Sequence, residues 1–165
     1  MNSHHRIYVG KDAHKFSAAH MTVFPDGTKE RLHGHNFQVS VAIDLKDVSF
    51  KSFLDFSIIK EALNAQCKVW DDRLLLAEKC PYLKVVKSDK TEMEFTLCGK
   101  RYVVPADEVA MLPLENIATE TLAMEFGKKF VERLDPSLVK RLVVGVEVNI
   151  TESRGQGGMS YWRAE

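Results

Sequence analysis

Residues 33–45 read His-Gly-His-Asn-Phe-Gln-Val-Ser-Val-Ala-Ile-Asp-Leu, and this stretch alternates between two kinds of side chain. Every second position from 33 to 43 carries a histidine or a large apolar residue, whereas the positions between them carry small or polar residues. Because successive side chains of a β-strand point to opposite faces, this period of two predicts a strand with one buried face. Its first two inward positions are His33 and His35.

The segment before this stretch predicts a partner strand. Residues 6–20 alternate in the same way, with Phe16 and Ala18 on the face that His20 continues. A turn is predicted at residues 25–27, which read Pro-Asp-Gly. Two strands joined by one loop are expected to pair antiparallel, which would bring His20 beside His33 and His35.

The rest of the chain predicts two helices and several further strands. One helix is capped by Ser57 and runs to about Cys67, and a second fits 114–134. Further strands are predicted at 83–87, 93–97, 101–104, 141–152 and 159–162. The order β-β-α, small β insert, α-β-β predicts an α+β fold with antiparallel pairing, in a single domain over residues 1–165.

Composition limits the possible partners and compartments. Lysine plus arginine number 23, as do aspartate plus glutamate, so the formal net charge is zero. A neutral chain has no general electrostatic affinity for nucleic acid or anionic membranes. No apolar run approaches the roughly 18 residues of a membrane helix, and the first residues show no secretory signal. Three cysteines without a Cys-x-x-Cys pair suit the reducing cytoplasm, which is the predicted location.

The three histidines of the paired strands predict a metal site. His33 and His35 are two residues apart and therefore point to the same side of a strand, with His20 opposite them. Three imidazoles with an open fourth position are typical of catalytic zinc, which polarises hydroxyl and carbonyl groups. The alternative is a set of half-buried histidines satisfied by hydrogen bonds. His4 and His5, in a terminus expected to be mobile, are not predicted to be ligands.

Five stretches resemble the 6-pyruvoyltetrahydropterin synthase and 6-carboxytetrahydropterin synthase family. They are residues 16–20, 33–37, 54–56, 114–118 and 151–152, in family order over nearly the whole chain. The resemblance implies a T-fold, an antiparallel sheet with two helices packed on one face. It also implies homo-oligomers, trimers and then hexamers, with active sites between subunits.

The resemblance also implies the ligands. Zinc would be held by His20, His33 and His35, and the substrate would be 7,8-dihydroneopterin triphosphate. Glu152 matches the acidic residue that anchors the pterin, whose two adjacent N–H donors a carboxylate accepts bidentately. The residues alone leave open a strand-end glutamate that reaches water. Thr151 and Glu115, in the matched stretches, are further candidates for substrate binding.

Two positions depart from the family pattern. No cysteine precedes His33, and Asp71-Asp72 stands where the family has an Asp-His pair. The motif Glu30-x-x-His-Gly-His is similar to a branch in which glutamate replaces the cysteine. That branch resembles an aldolase, which cleaves the side chain and leaves 6-hydroxymethyl-7,8-dihydropterin, a folate precursor.

This branch suggests roles for the acidic residues. Glu30 is the predicted general base, assisted by Asp71 and Asp72, which would titrate as a coupled pair. The alternatives are a solvated loop carboxylate for Glu30 and a helix-end charge pair for the aspartates. Weak phosphate-binding candidates are Lys15, Lys29 and Arg31.

Three functions follow, in order of preference. The first is a zinc-dependent pterin lyase that cleaves the substrate side chain. The second is a 6-pyruvoyl- or 6-carboxytetrahydropterin synthase with a rearranged proton relay. The third is a metal- and pterin-binding paralogue without catalysis.

Overall fold

The computed structural model describes residues 5–164, so His4 and both chain ends of the predicted 1–165 domain lie outside the described part. Within this range the strands are β1 (His5–Val9), β2 (Lys15–His20), β3 (His33–Leu45), β4 (Arg73–Ala77), β5 (Leu83–Ser88), β6 (Glu92–Leu97), β7 (Lys100–Pro105), β8 (Val109–Leu112), β9 (Val143–Ser153) and β10 (Gln156–Arg163). The helices are α1 (Phe56–Trp70), α2 (Thr119–Glu132) and α3 (Pro136–Leu142). None of these helices is long and apolar enough to cross a membrane.

Seven of the described strands form one sheet around β3. The order is β10-β9-β3-β2-β4-β8, and β1 also pairs with β3. The predicted alternation of β3 is confirmed, because Phe37, Val39, Val41 and Ile43 are almost completely buried. The remaining strands β5, β6 and β7 form the predicted insert, a separate antiparallel sheet.

Two strands of the main sheet were not predicted, and both pair in parallel. β4 runs parallel to β2, and β8 runs parallel to β4. The purely antiparallel pairing expected from the sequence is therefore incomplete. Residues 74–77 are all buried, so β4 is a continuous apolar run without alternation. A strand buried on both faces lacks the period of two by which a half-buried strand is recognised.

The single strand predicted over 6–20 is two strands. β1 pairs with residues 41–45 of β3, and β2 pairs with residues 33–38. Residues 10–14 lie between them opposite only residues 39 and 40, so this segment must bulge out of the ladder. The side-chain amide of Gln38 fills the gap by donating to the carbonyl oxygens of Lys11 and His14.

The helix boundaries also differ from the prediction, because capping decides them. Asp55, not Ser57, caps α1, since its carboxylate accepts the backbone N–H of Ser57 at 2.8 Å. The predicted second helix begins only at Thr119, because Ala118 before it is extended and Asn116 is bonded to the backbone of Val23 in another loop. Asp135 caps the unpredicted α3, which occupies the first residues assigned to the 141–152 strand.

Helices α1 and α2 pack on one face of the sheet through aromatic rings. Phe16 of β2 stacks on Phe37 with ring centroids 5.0 Å apart, and it meets Trp70 of α1 at 5.4 Å. Phe126 of α2 lies 5.5 Å from Trp70. The histidines continue this same face beyond the aromatic cluster, since the ring of His35 lies 5.4 Å from that of Phe37.

Candidate metal centre

Strand register brings the three predicted histidines together. In the β2–β3 ladder His20 lies opposite His33, and Ala18 lies opposite His35. The ring centroids are 4.6 Å apart for His20 and His33, 5.3 Å for His20 and His35, and 4.9 Å for His33 and His35. One ring nitrogen from each histidine lies within 4.8 Å of the others. The cluster is therefore compact enough for all three rings to bind one ion.

Backbone carbonyls orient two of these rings. Nδ1 of His20 lies 3.2 Å from the carbonyl oxygen of Ile117, and Nδ1 of His33 lies 2.7 Å from that of Arg31. A carbonyl oxygen can only accept, so each Nδ1 carries a proton, and in the neutral ring each Nε2 then keeps a free lone pair. Ligating histidines in metalloproteins are commonly held in this way by a second partner.

The buried nitrogen of His20 provides the test of whether the site fits a metal. His20 is 2% exposed, and its Nε2 has no hydrogen-bond partner within residues 5–164. A buried acceptor without a partner costs free energy, and a divalent cation would satisfy it. The alternative of fully hydrogen-bonded strand histidines therefore does not describe His20, and the donor set of three imidazoles fits zinc.

Electrostatics keep His20 in the form that binds a cation. Burial lowers the pKa of His20, and the neighbouring rings of His33 and His35 lower it further. The hydrogen bond to Ile117 acts in the opposite direction without reversing the shift. A lowered pKa favours neutral imidazole, which is the ligating form.

Two predicted carboxylates flank the histidine cluster. Oε2 of Glu30 lies 3.8 Å from Nε2 of His33, and Oε2 of Glu152 lies 3.8 Å from Nε2 of His35. The other oxygen of Glu152 accepts a hydrogen bond from Gln156 at 2.6 Å. The structure thus places Glu30 beside the histidines and not merely in a solvated loop, although its side chain is 40% exposed.

The ionised form of Glu30 is favoured. Burial raises the pKa of Glu30, but interactions with Thr22 and the nearby His33 outweigh it and hold that pKa below its usual value. A carboxylate that is ionised at neutral pH can accept a proton from a substrate hydroxyl, as a general base must.

Asp71 and Asp72 lie where α1 ends. Asp71 accepts the backbone N–H of Ser17 at 2.7 Å, and the N–H of Asp72 donates to the carbonyl of Ser17, also at 2.7 Å. These bonds join the end of α1 to β2, which gives Asp71 a structural role within one chain. Asp72 lines a cavity of about 530 Å³, together with residues that include Ser17, His35, Asn36, Arg73 and Glu108.

The two other substrate-binding candidates are placed differently. Thr151 is half-buried on β9 beside Glu152 and pairs with Gln38 of β3. Glu115 is exposed, in the irregular segment before α2. Its neighbour Asn116 donates to and accepts from the backbone of Val23, so this segment holds the loop between β2 and β3.

Gly34 separates the two ligands of β3 because the neighbouring strand is too close for a side chain. A Cβ at this position would lie 2.9 Å from the carbonyl oxygen of Ala18, which is backbone and cannot rotate away. The group that approaches Gly34 is therefore β2 itself, the strand that carries His20.

Replacing Gly34 with alanine should push β2 away from β3. We expect a loss of about 1–3 kcal/mol in the free energy of unfolding, as for other overpacked sites, and weaker zinc binding because His20 moves away from His33. Urea unfolding and zinc titration measure the two effects. Ser40→Ala, on the same face of β3, is the control, and wild-type values for Gly34→Ala would show that the close approach is unimportant.

Comparisons with known proteins point to one family. The profile described as 6-pyruvoyl tetrahydropterin synthase matches residues 9–162. A Methanocaldococcus jannaschii protein, provisionally named 6-carboxy-5,6,7,8-tetrahydropterin synthase, is 33% identical over 144 residues, 87% of this chain and 86% of that protein.

Solved structures agree with this result. The 6-pyruvoyl tetrahydropterin synthase of Plasmodium falciparum has a TM-score of 0.91 and 26% identity, covering 99% of this chain and 100% of that one. The Plasmodium vivax enzyme, solved as a variant with a catalytic glutamate changed to alanine, has a TM-score of 0.90 and 25% identity with the same coverage. These matches confirm the predicted T-fold.

Proposed function

Because the chain belongs to the 6-pyruvoyl tetrahydropterin synthase family, we propose that it is a zinc-dependent lyase that cleaves the side chain of a dihydropterin. The substrate is 7,8-dihydroneopterin triphosphate or its dephosphorylated form, and the product is 6-hydroxymethyl-7,8-dihydropterin. The position of Glu30, 3.8 Å from Nε2 of His33, supports this proposal most directly. The catalytic glutamate named for the Plasmodium vivax relative is in accord with it.

The residues of this chain have distinct tasks in the proposed reaction. Zinc held by His20, His33 and His35 would supply Lewis-acid polarisation of the substrate hydroxyls. Glu152 accepts the two adjacent N–H donors of the pterin and so fixes the ring beside the histidines. Glu30 removes the proton from the 2′-hydroxyl as the bond between C1′ and C2′ breaks. C2′ leaves as an aldehyde, and Glu30 returns the proton to C1′.

A second candidate is 6-carboxytetrahydropterin synthesis. It is favoured by the name of the Methanocaldococcus jannaschii relative, which is more similar in sequence than the Plasmodium enzymes. That reaction would have to proceed without a cysteine before His33, using Glu30 in its place and Asp71 or Asp72 for further proton transfer.

We also propose that the protein works in the cytoplasm as a homo-oligomer, a trimer or hexamer with its active sites between subunits. The neutral net charge supports the expectation that it binds neither nucleic acid nor membranes. An assembly of this kind would allow Asp71 and Asp72 of one subunit to act in the site of another.

Product analysis tests the proposed function. Zinc-loaded protein incubated with 7,8-dihydroneopterin triphosphate should release 6-hydroxymethyl-7,8-dihydropterin and a two-carbon aldehyde that carries the triphosphate, both detected by mass spectrometry. Prior removal of zinc by a chelator should abolish both products. A carboxylated or pyruvoyl product would reject cleavage in favour of a synthase, and tight binding without turnover would favour a non-catalytic paralogue.

A further inference from the structure

We propose that the small sheet β5–β7 positions the base Glu30, and that Lys29 is the positioning residue through which it acts. This inference rests on the proposed function, since it needs Glu30 to be the base. The loop between β2 and β3, residues 21–32, contains both residues. The loop lies between the histidine cluster on one side and the small sheet on the other.

The loop is itself a short hairpin. The N–H of Glu30 donates to the carbonyl of Thr22 at 2.9 Å, and the N–H of Phe24 donates to that of Thr28 at 2.8 Å. Val23 and Lys29 form an antiparallel bridge between these bonds. Successive side chains of an extended segment leave it on opposite sides. Glu30 accordingly points to His33, and Lys29 points away from the histidines.

The ammonium of Lys29 contacts the small sheet and the backbone of Glu30 together. Nζ lies 5.2 Å from the ring centroid of Tyr102 of β7, in a cation–π contact. It also donates to the carbonyl oxygen of Glu30 at 3.0 Å and lies 3.3 Å from the sulfur of Met21, which is buried. A half-buried ammonium with these neighbours is poorly placed to bind phosphate, the role that the sequence suggested.

Tyr102, which lies under Lys29, is packed against the core. The ring of Tyr102 stacks on Phe95 of β6, with centroids 5.1 Å apart and planes at 14°. Phe95 is completely buried in the core. Tyr82, which directly precedes β5, contacts the hairpin tip, because its hydroxyl donates to the carbonyl oxygen of Pro25 at 3.1 Å. The small sheet and the turn that leads into it thus contact the hairpin at two points.

This arrangement connects Tyr102, through Lys29, to both Glu30 and His33. Lys29 holds the carbonyl of Glu30, and the next carbonyl, that of Arg31, accepts from Nδ1 of His33 at 2.7 Å. The position of the ammonium therefore influences the direction of two successive peptide groups. A displacement of the base by about 1 Å can cost about a hundredfold in rate, so this support has consequences for turnover.

Lys29→Met is the primary test, because methionine keeps an unbranched apolar stem and removes the charge and the donor. We expect kcat to fall about tenfold, within the loss that misplacement of a base can produce, with little change in KM and with zinc content unchanged. The fall in kcat should be equal for 7,8-dihydroneopterin and for its triphosphate, because Lys29 is not expected to contact the phosphates. Lys100→Met, at an exposed lysine of β7, is the matched control.

Tyr102 supplies a second, independent variant. Tyr102→Leu removes the ring and should reduce kcat as Lys29→Met does, whereas Tyr102→Phe keeps the ring face and should restore turnover. The double variant Lys29→Met with Tyr102→Leu should be no slower than the worse single variant, because both changes break one contact.

Combination with Glu30→Gln separates this inference from the proposed function. If Lys29 acts through Glu30, Lys29→Met should have no further effect on the residual rate of Glu30→Gln. A rise in KM for the triphosphate alone would identify Lys29 as a phosphate ligand and overturn the inference. Wild-type kcat in Lys29→Met would also overturn it. Full activity in Glu30→Gln would instead overturn the assignment of Glu30 as the base, and product analysis tests the lyase function separately.

Discussion

Glu30→Gln should lower kcat by about 10²- to 10⁴-fold while the protein keeps its zinc. Glutamine has nearly the shape of glutamate but cannot take up a proton from the substrate hydroxyl. Glu30 is not in the predicted ligand set, and its carboxylate lies 3.8 Å from Nε2 of His33, so its replacement should leave the ion in place. Steady-state kinetics with 7,8-dihydroneopterin triphosphate and metal analysis of the same preparation measure both quantities.

The control for this variant is Glu61→Gln, an equal change of charge at an exposed position of α1. It should retain wild-type kcat. A Glu30→Gln protein with full activity would show that another group accepts the proton. Asp72 would then be the next candidate, because it shares a cavity with His35.

His35→Ala should weaken zinc binding by more than about a hundredfold and abolish turnover. Loss of a partner that merely orients a ligand typically costs about 10–100-fold in metal affinity, so loss of a ligand should cost more. His35 is half-buried at the end of the aromatic cluster, so the fold should survive its removal better than that of the buried His20. Competition with a chromogenic chelator measures the affinity, and circular dichroism verifies the fold.

Asn36→Ala is the matched control, since this residue follows His35 on β3 but points to the opposite face. It should bind zinc as the wild-type protein does. Stoichiometric zinc with wild-type affinity in His35→Ala would remove His35 from the ligand set and leave an incomplete site.

The carboxylates show where prediction from sequence ends. Glu30, Asp71 and Asp72 were all predicted as proton-transfer groups, and sequence spacing could not rank them. Among the contacts described above, the carboxylates of Glu30 and Glu152 are the ones that lie beside the histidine rings, each 3.8 Å from a ring nitrogen. Asp71 instead receives the backbone N–H of Ser17, 54 residues away along the chain. Contacts between distant segments decide such questions, and no local pattern records them.

Lys29 gives a second example. A lysine in a polar loop reads as a solvated charge, and the sequence suggested only phosphate binding. Its ammonium is instead covered by Tyr102, which lies 73 positions later in the chain. The signal that could have found it was the insert itself, because strand β6 alternates the apolar residues Met93, Phe95 and Leu97 with polar ones and must pack against some other part of the chain.

The amino-acid sequence by itself determined the residues of the histidine cluster, the α+β class and the family resemblance. It could do so because alternation along a strand is a local property of the backbone, visible in residues 33–45 without any partner. Only the tertiary structure decided which atoms meet. The parallel strands β4 and β8 and the bond from His20 to Ile117, 97 residues away, depend on packing between segments that are remote in the chain.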